Sequence, residues 1–415
     1  MARNEMVDYF IHLKGNPKAC IVTEPLWYIP YTLFSPFATL FMSNLGVTDT
    51  QIGYLLTAGM IVQVFAAFFG GIITDKLGRR MTTLITDTIA WSIPCFIWAF
   101  SQNFWWFLAA SMLNGILQVS NISWSSLMVE DCEPSRLVYA FSWIQIAGVL
   151  SVFFAPVSYL LMERFDMVLV VRCLYLFSFA SMTAKFVLLF LMSHETGQGV
   201  KRMGETRHIP VRKMIAGYKD VFLKLIRSRR MVMSLFIMLS FNITSTVSAT
   251  FFGLYTTKSL RIDEGLLAIF SMVGSITSLI IMFTLQNKLN RLHYRPVMIL
   301  GYVLFIVNNI LLISAPPEKQ EFIYLYSIIN AVAVACISPR NDSLAARFVD
   351  KEERSRVMAI MYMVMIGITS PFGTLIGVLS DVNRAYPFVL AILFFAVTLA
   401  VVACSKEIKK LDSQE

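Results

Sequence analysis

Residues 70–80 read GGIITDKLGRR. An apolar run ends there in Asp75, Lys76, Arg79 and Arg80, with Gly78 between the charges, and apolar sequence resumes directly after Arg80. Such a knot of charge stands out in a chain that is 57% hydrophobic and 15% charged, because soluble domains carry roughly 25% charged residues. A water-soluble surface cannot be made from this composition. The apolar runs to either side of the knot each match the ~20 residues that carry an α-helix across ~30 Å of hydrocarbon.

Working outward from the knot, twelve such runs are predicted, at 26–46, 51–73, 81–100, 104–129, 137–162, 167–193, 231–257, 266–285, 296–315, 321–348, 357–379 and 385–404. The expected fold is an all-α membrane protein, with twelve transmembrane helices in two pseudo-symmetric six-helix bundles. Its parts are a cytoplasmic N-terminal tail with a short interfacial helix (1–25), a first bundle (26–194), a basic cytoplasmic linker (195–230), a second bundle (231–404) and a cytoplasmic tail (405–415). Met6, Val7, Phe10, Ile11 and Leu13 sit at the spacing of an interfacial helix; a floppy tail is the alternative. The first 25 residues are mixed polar and the first apolar run is full length, so no cleavable leader is expected.

Charge sets the orientation. With both ends in the cytoplasm, 27 of the 35 Lys and Arg residues fall in inside segments and 5 in outside loops. That asymmetry is the positive-inside rule, and it directs the net charge of +9 to anionic lipid headgroups. A nucleic-acid partner is therefore not expected. The six cysteines are scattered without a CxxC, and His12, His194, His208 and His293 lie outside or at the edge of the apolar runs. No metal or other cofactor is expected. No Walker sequence is present, so ATP is not the expected driver. The spans hold no nucleophile–base set, so no enzyme is expected.

The halves echo each other. VEDCEPSR (129–136) follows span four and VDKEERSR (349–356) follows span ten; DKLGR (75–79) follows span two and NKLNR (287–291) follows span eight. Matching loops in matching places point to an internal repeat, as in secondary transporters.

Gly71, Asp75, Lys76, Gly78, Arg79 and Arg80 fit G-x-x-x-D-[RK]-x-G-[RK]-[RK] at every position. Here the chain resembles the major facilitator superfamily, whose motif occupies the same cytoplasmic loop between spans two and three. The resemblance extends over the twelve spans, the central linker and the echo after span eight. Gly71 is expected to allow close helix approach and Gly78 a tight reversal. The resemblance implies that Asp75 latches onto the amide-rich start of a helix near Arg356, and that Arg79 pairs with Glu130 or Asp131 at the end of span four. Plain anchoring of the loop is the alternative. The second copy has Asn287 and Asn290 for the acid and the glycine, so a mirror latch there should be weaker. The drug-antiporter pattern G-P-x-x-G-G of span five is APVSY (155–159) here. Pro156 and Pro371 are expected to kink their spans.

Charge inside the spans is costly and points to function. Asp342 and Asp87 are the proton-coupling candidates, and Arg340 and Asn341 accompany Asp342 on span ten, which lines the central cavity in the family. The alternative for Arg340 and Asp342 is a structural role near the end of the span. Asp87 and Lys185 sit at similar depth, about 10–13 Å in at ~1.5 Å per residue, and are expected to form a structural pair. Arg172 can snorkel. The substrate-cavity candidates are Tyr28, Tyr31, Asn114, Gln118, Asn121, Trp124, Gln145 and Asn242. Asn114, Gln118 and Asn121 recur on one helical face, suited either to a hydroxylated solute or to interhelical bonding.

The expected function is secondary active transport of a small organic solute by alternating access, coupled to protons, with a sugar or glycoside favoured over an amphipathic drug-like export substrate. A transporter-like sensor is the distant alternative. The protein is expected to be a monomer in the plasma or inner membrane, with both termini cytoplasmic and lipids as its other partners.

Overall fold

The computed structural model describes residues 10, 12–132, 137–210, 225–285, 288–289, 292–347, 354–405 and 407–409. The described chain is almost wholly helical. Ten of its helices are long and apolar enough to cross a membrane: Asp49–Leu77, Arg79–Phe100, Tyr139–Met162, Met167–Met192, Arg229–Ser259, Leu266–Thr284, Tyr294–Ile313, Gln320–Asn341, Val357–Val382 and Tyr386–Cys404. These are spans two, three and five to twelve.

Spans one and four are interrupted helices, and each interruption has a local cause. Span one runs Pro25–Phe34, tightens to a 3₁₀ turn at Ser35–Phe37, and continues as Ala38–Asn44. Pro36, which lacks an N–H donor, sits in the middle of that turn. Span four breaks after Phe104–Asn114 and resumes as Leu117–Val129. At the break, a Cβ on Gly115 would lie 2.7 Å from the Gly59 carbonyl oxygen and from Val62 Cβ, so span two crowds the backbone there. Span five also tightens, at Val152–Phe154, immediately before the helix carrying Pro156. Pro371 instead lies within a continuous helix, Arg354–Val382.

Two compact units emerge from the packing: residues 1–35 with 58–217, and 36–57 with 218–415. The division differs from the expected bundles, since residues 36–57 group with the second half. Within the second unit, the start of span two is seamed to span eleven. A Cβ on Gly53 would stand 2.6 Å from the Gly373 carbonyl oxygen, and one on Gly377 would stand 2.7 Å from the Asp49 carbonyl oxygen. The Thr57 hydroxyl donates to the Ser370 carbonyl (2.8 Å) and accepts from the Thr374 amide (2.9 Å). Asp381 accepts from the amides of Asp49 (3.2 Å) and Thr50 (2.9 Å), capping span two from outside its own sequence. Buried Asp49 in turn accepts from Ser380 (2.6 Å) and pairs with Arg384 (3.0 Å).

In the first unit, the short helix Gly15–Thr23 packs Ala19, Cys20 and Ile21 into a core with Leu127, Met128, Ala140, Ile144 and Leu189. The interfacial segment expected around Met6–Leu13 lies largely outside the described residues; Phe10 rests on Trp143 with ring centroids 4.4 Å apart. The second unit's core gathers Tyr302, Phe305, Ile337 and Phe395. Phe305 and Phe395 stack at 4.6 Å, a contact of about 0.5–1.5 kcal/mol beyond its area burial.

Candidate functional site

The second unit holds a cavity of about 400 Å³ between spans seven, eight and ten, lined also by Phe305 and Phe395. Span seven supplies Thr244, Ser245, Ser248 and Phe252, span eight Phe270, Ser271, Ser275 and Ser278, and span ten Tyr326, Ser327 and Asn330. Every lining residue is neutral. Helical spacing explains the convergence: Ser271, Ser275 and Ser278 recur at i, i+4, i+7, and Tyr326 and Asn330 at i, i+4, so each set shares one face. Phe252 stacks on Tyr326 with ring centroids 5.0 Å apart and the planes nearly parallel. The hydroxyls of Thr244, Ser271 and Ser278 donate to carbonyls of their own helices. Their oxygens therefore remain as acceptors, while the Asn330 amide offers donors as well. The chemistry suits a neutral solute with O–H donors and a flat ring, and the volume falls in the usual range for small-molecule sites.

Of the expected cavity residues on span seven, Asn242 lies one turn before Ser245 and Thr246, and its carbonyl accepts from Thr246 (2.9 Å). The lining serines of span eight and Tyr326, Ser327 and Asn330 of span ten were not among the expected site residues. Their periodicity was the available signal. Arg340 and Asn341 are buried but do not line the cavity. Arg340 donates to the Cys336 carbonyl (3.2 Å) and to the Leu289 carbonyl, with its guanidinium 5.9 Å from the Tyr294 ring. Its charge is thus used to tie span ten to the segment before span nine. Asp342 lies on the helix Gln320–Arg347, but its side chain is outside the described residues.

The amide stripe of span four is divided by the break at Gly115. Asn114 donates to the Ala90 carbonyl of span three (2.8 Å) and Gln118 to Gln63 of span two (3.4 Å), so both join helices. Asn121 and Gln145 are exposed. Tyr31 stacks on Trp27 at 4.8 Å, and Trp27 and Tyr31 both meet the edge of Trp91. Tyr28 meets Trp27 edge-on and rests against Gly148 of span five.

The charged loop at residues 75–80 is a compact knot within the first unit. Gly78 has φ +85°, a backbone region that strongly favours glycine. Buried Arg79 places Nε 3.1 Å from both Glu130 oxygens and Nη1 3.2 Å from Asp75. Arg80 donates twice to the Phe190 carbonyl, at 2.9 and 2.7 Å, and lies over the Phe190 ring. Lys76 donates to the Ile209 carbonyl (3.0 Å). The linker completes the knot. Glu195 accepts from the amides of Arg79 (2.8 Å) and Arg80 (3.0 Å), capping the start of span three. Thr196 donates to Glu130 and caps the linker helix Gly197–Thr206. Arg202 of that helix bonds Asp75 at 2.8 Å. The Asp75 hydrogen bond and charge hold Arg202 above its ordinary basic range.

Of its two expected partners, Arg79 takes Glu130. Asp75 is engaged by Arg202 and Arg79 of its own unit; the segment before Arg354 and the Arg356 side chain, on which the expected latch depends, lie outside the described residues. Among the described residues nothing lies within 4 Å of a Cβ on Gly71, so the close approaches on span two belong to Gly53, Gly59 and Gly70 instead. Asp131 does not pair with Arg79: its carboxylate accepts from Asn16 (2.6 Å) and faces His194 Nε2 at 3.3 Å. The mirror positions Asn287 and Asn290 lie outside the described residues.

Inside the first unit, Lys185 pairs with Glu24 at 3.2 Å, with side-chain exposures of 5% and 8%. Asp87, also buried, is near enough to act electrostatically on both. Asp87 and Lys185 thus share one cluster, but the direct ion pair of Lys185 is with Glu24. That acid escaped notice because it sits at the seam of a polar tail and Pro25. Lys185 also lies 5.8 Å from the Trp124 ring and 5.3 Å from that of Phe186. Arg172 donates to the Ser101 carbonyl (2.9 Å).

The whole architecture has close counterparts. A nucleoside transporter, NupG, superposes with a TM-score of 0.71 at 17% identity, over 95% of this chain and 99% of that one. A peptide transporter, POT, in complex with sulfate does so with a TM-score of 0.72 at 12% identity, over 99% and 100%. At such identities the likeness is one of fold. In sequence, an uncharacterised MFS-type transporter, YqjV of Bacillus subtilis (strain 168), is 28% identical over 125 residues, 29% of this chain and 30% of that protein. The quinolone resistance protein NorA of Staphylococcus aureus (strain Mu50 / ATCC 700699) is 25% identical over 111 residues, 27% of this chain and 28% of its own length. The chain thus spans less than a third of the length of the curated relatives it matches. The sequence profile of the Major Facilitator Superfamily matches residues 26–373 and, separately, 258–411. With multiple membrane-crossing helices, the fold of solved transporters and a profile covering most of its length, the chain belongs to the Major Facilitator Superfamily.

Proposed function

We propose that this protein is a proton-coupled secondary transporter of a small neutral solute that combines several hydroxyl groups with a ring, a glycoside or nucleoside in chemical class, and that the solute binds in the cavity between spans seven, eight and ten. The observation that carries this reading is the lining itself: serine and threonine oxygens left as acceptors, one amide, an aromatic pair and no charge. A hydroxylated ring satisfies those acceptors and stacks on Phe252 or Tyr326, whereas a charged solute would be desolvated without a counter-charge from the lining. The solute crosses by alternating access. The seam between the start of span two and span eleven parts and re-forms in each cycle. The Lys and Arg bias supports cytoplasmic termini and a place in the plasma membrane. The protein works as a monomer.

A second reading is export of amphipathic, drug-like compounds. The segment shared with NorA favours it, as do Phe252, Phe270, Phe305 and Phe395 around the cavity. The two separate in a thermal-shift panel on purified protein with uridine, adenosine, an aryl glucoside, glucose, norfloxacin and tetraphenylphosphonium. The first reading expects stabilisation by a ring-bearing glycoside or nucleoside. Stabilisation by the two cationic or zwitterionic drugs alone would replace it with the second.

A further inference from the structure

The cluster at the head of span one holds an odd charge. Glu24 follows directly on the helix Gly15–Thr23. Asp87 ends the regular helix of span three, immediately before a π-helical turn at Thr88–Ser92, and such turns recur at functional sites. Lys185 comes from span six. All three are buried. Cys20 and Tyr28 are the other titratable groups facing them. Among the described residues, the carboxylates acting on Lys185 are those of Glu24 and Asp87, beside the Cys20 thiol. Glu24 alone already neutralises Lys185. The second carboxylate is surplus to an ion pair, and a buried charge without a counter-charge is unfavourable. The neutral form of the cluster is therefore one lysine ammonium, one carboxylate and one carboxylic acid.

We propose that Glu24, Asp87 and Lys185 form the proton-binding site of the carrier, taking up one proton from water before the cluster closes and releasing it to water when it is wetted again. In that step a hydronium ion or buffer acid gives its proton to a carboxylate oxygen of Asp87, the acid left over once Glu24 pairs with Lys185, forming an O–H bond and leaving water or the buffer base. Release returns the proton to water and restores the carboxylate, which Lys185 partly balances. A purely structural role needs only one of the two acids. The proposal rests on the reading of the chain as a proton-coupled carrier, and it places the coupling in the first unit, apart from the solute cavity of the second.

Charge balance predicts a distinctive series. The wild-type cluster holds one proton, Glu24→Gln and Asp87→Asn none, and Lys185→Met two. Infrared difference titration of the purified full chain, without solute, reads this as the area of the carboxylic-acid carbonyl band. The expected band is single in wild type, lost in each acid variant and doubled in Lys185→Met. A band that survives in both acid variants, or no band in wild type, would overturn the proposal. Either acid variant suffices if the other does not fold. Proteoliposomes test coupling with labelled uridine or aryl glucoside: Glu24→Gln should lose far more of its gradient-driven accumulation than of its exchange. Accumulation at the wild-type level would also overturn it. A normal titration in protein that exchanges neither solute would instead count against the solute reading.

Discussion

Gly53→Ala is the most telling single change in the fold. The added methyl would stand 2.6 Å from the Gly373 carbonyl oxygen and 2.9 Å from Gly377 Cα, against the 3.4 Å at which ordinary contact begins. Both neighbours are backbone, so no side chain can swing aside, and the two helices must part by about 0.8 Å. Overpacking of this kind costs roughly 1–3 kcal/mol. For a unit of about 200 residues that is a fall of roughly 2–12 °C in midpoint, at ~2–4 °C per kcal/mol. The same free energy raises the population of the parted seam about 5- to 150-fold. Hydrogen exchange reads it directly, because the amides of Asp49 and Thr50 are held by Asp381 across the seam and exchange when it opens. Gly71→Ala is the control. With nothing described within 4 Å of its Cβ, it should be neutral or stabilise by up to ~1 kcal/mol, the usual gain of Ala over Gly inside a helix. A Gly53→Ala protein with unchanged midpoint and unchanged exchange at residues 49–50 would refute the seam.

Other substitutions test the remaining pieces. Gly78→Ala combines a φ of +85° with a Cβ 2.6 Å from the Glu195 carboxylate; it should cost at least ~1 kcal/mol and release the Glu195 cap, seen as faster exchange at the start of span three. Arg79→Ala leaves half-buried Glu130 and Asp75 without their shared cation, with Thr196 and Arg202 still bonded to them, and should destabilise by about 1–3 kcal/mol, measured as a lower melting midpoint, with Arg79→Lys recovering only part because one ammonium cannot bridge both acids as a guanidinium does. Asn330→Leu removes the cavity's amide and should weaken solute binding by about 1–3 kcal/mol, a roughly 5- to 150-fold rise in Kd by titration calorimetry, with the melting midpoint little changed.

Hydropathy made the spans legible, because ~20 apolar residues in succession have few other uses. It could not show that spans one and four are broken. Pro36 is visible as a helix breaker, but the break at Gly115 comes from the backbone of span two at Gly59, a tertiary fact. The charged loop was legible as a unit, and an acid at the end of span four, Glu130 or Asp131, was expected to partner Arg79; the partner is Glu130. Its clasp by Glu195, Thr196 and Arg202 was not, because the linker reads as a merely basic segment. Depth counting brought Asp87 and Lys185 together, yet Glu24 was lost to a boundary drawn one residue beyond it. The span-four amides showed the reverse failure. Their spacing on one face was real, but Asn114 and Gln118 are used between helices. The hydroxyl-lined cavity draws on three spans at once, and no single stretch announces it.

Counterflow through proteoliposomes tests the account at its centre. Vesicles loaded with unlabelled uridine or aryl glucoside should draw in the labelled compound against no net gradient, and Asn330→Leu should blunt that exchange while leaving the protein folded. Vesicles that exchange neither compound but exchange a hydrophobic cation, undiminished by Asn330→Leu, would contradict it.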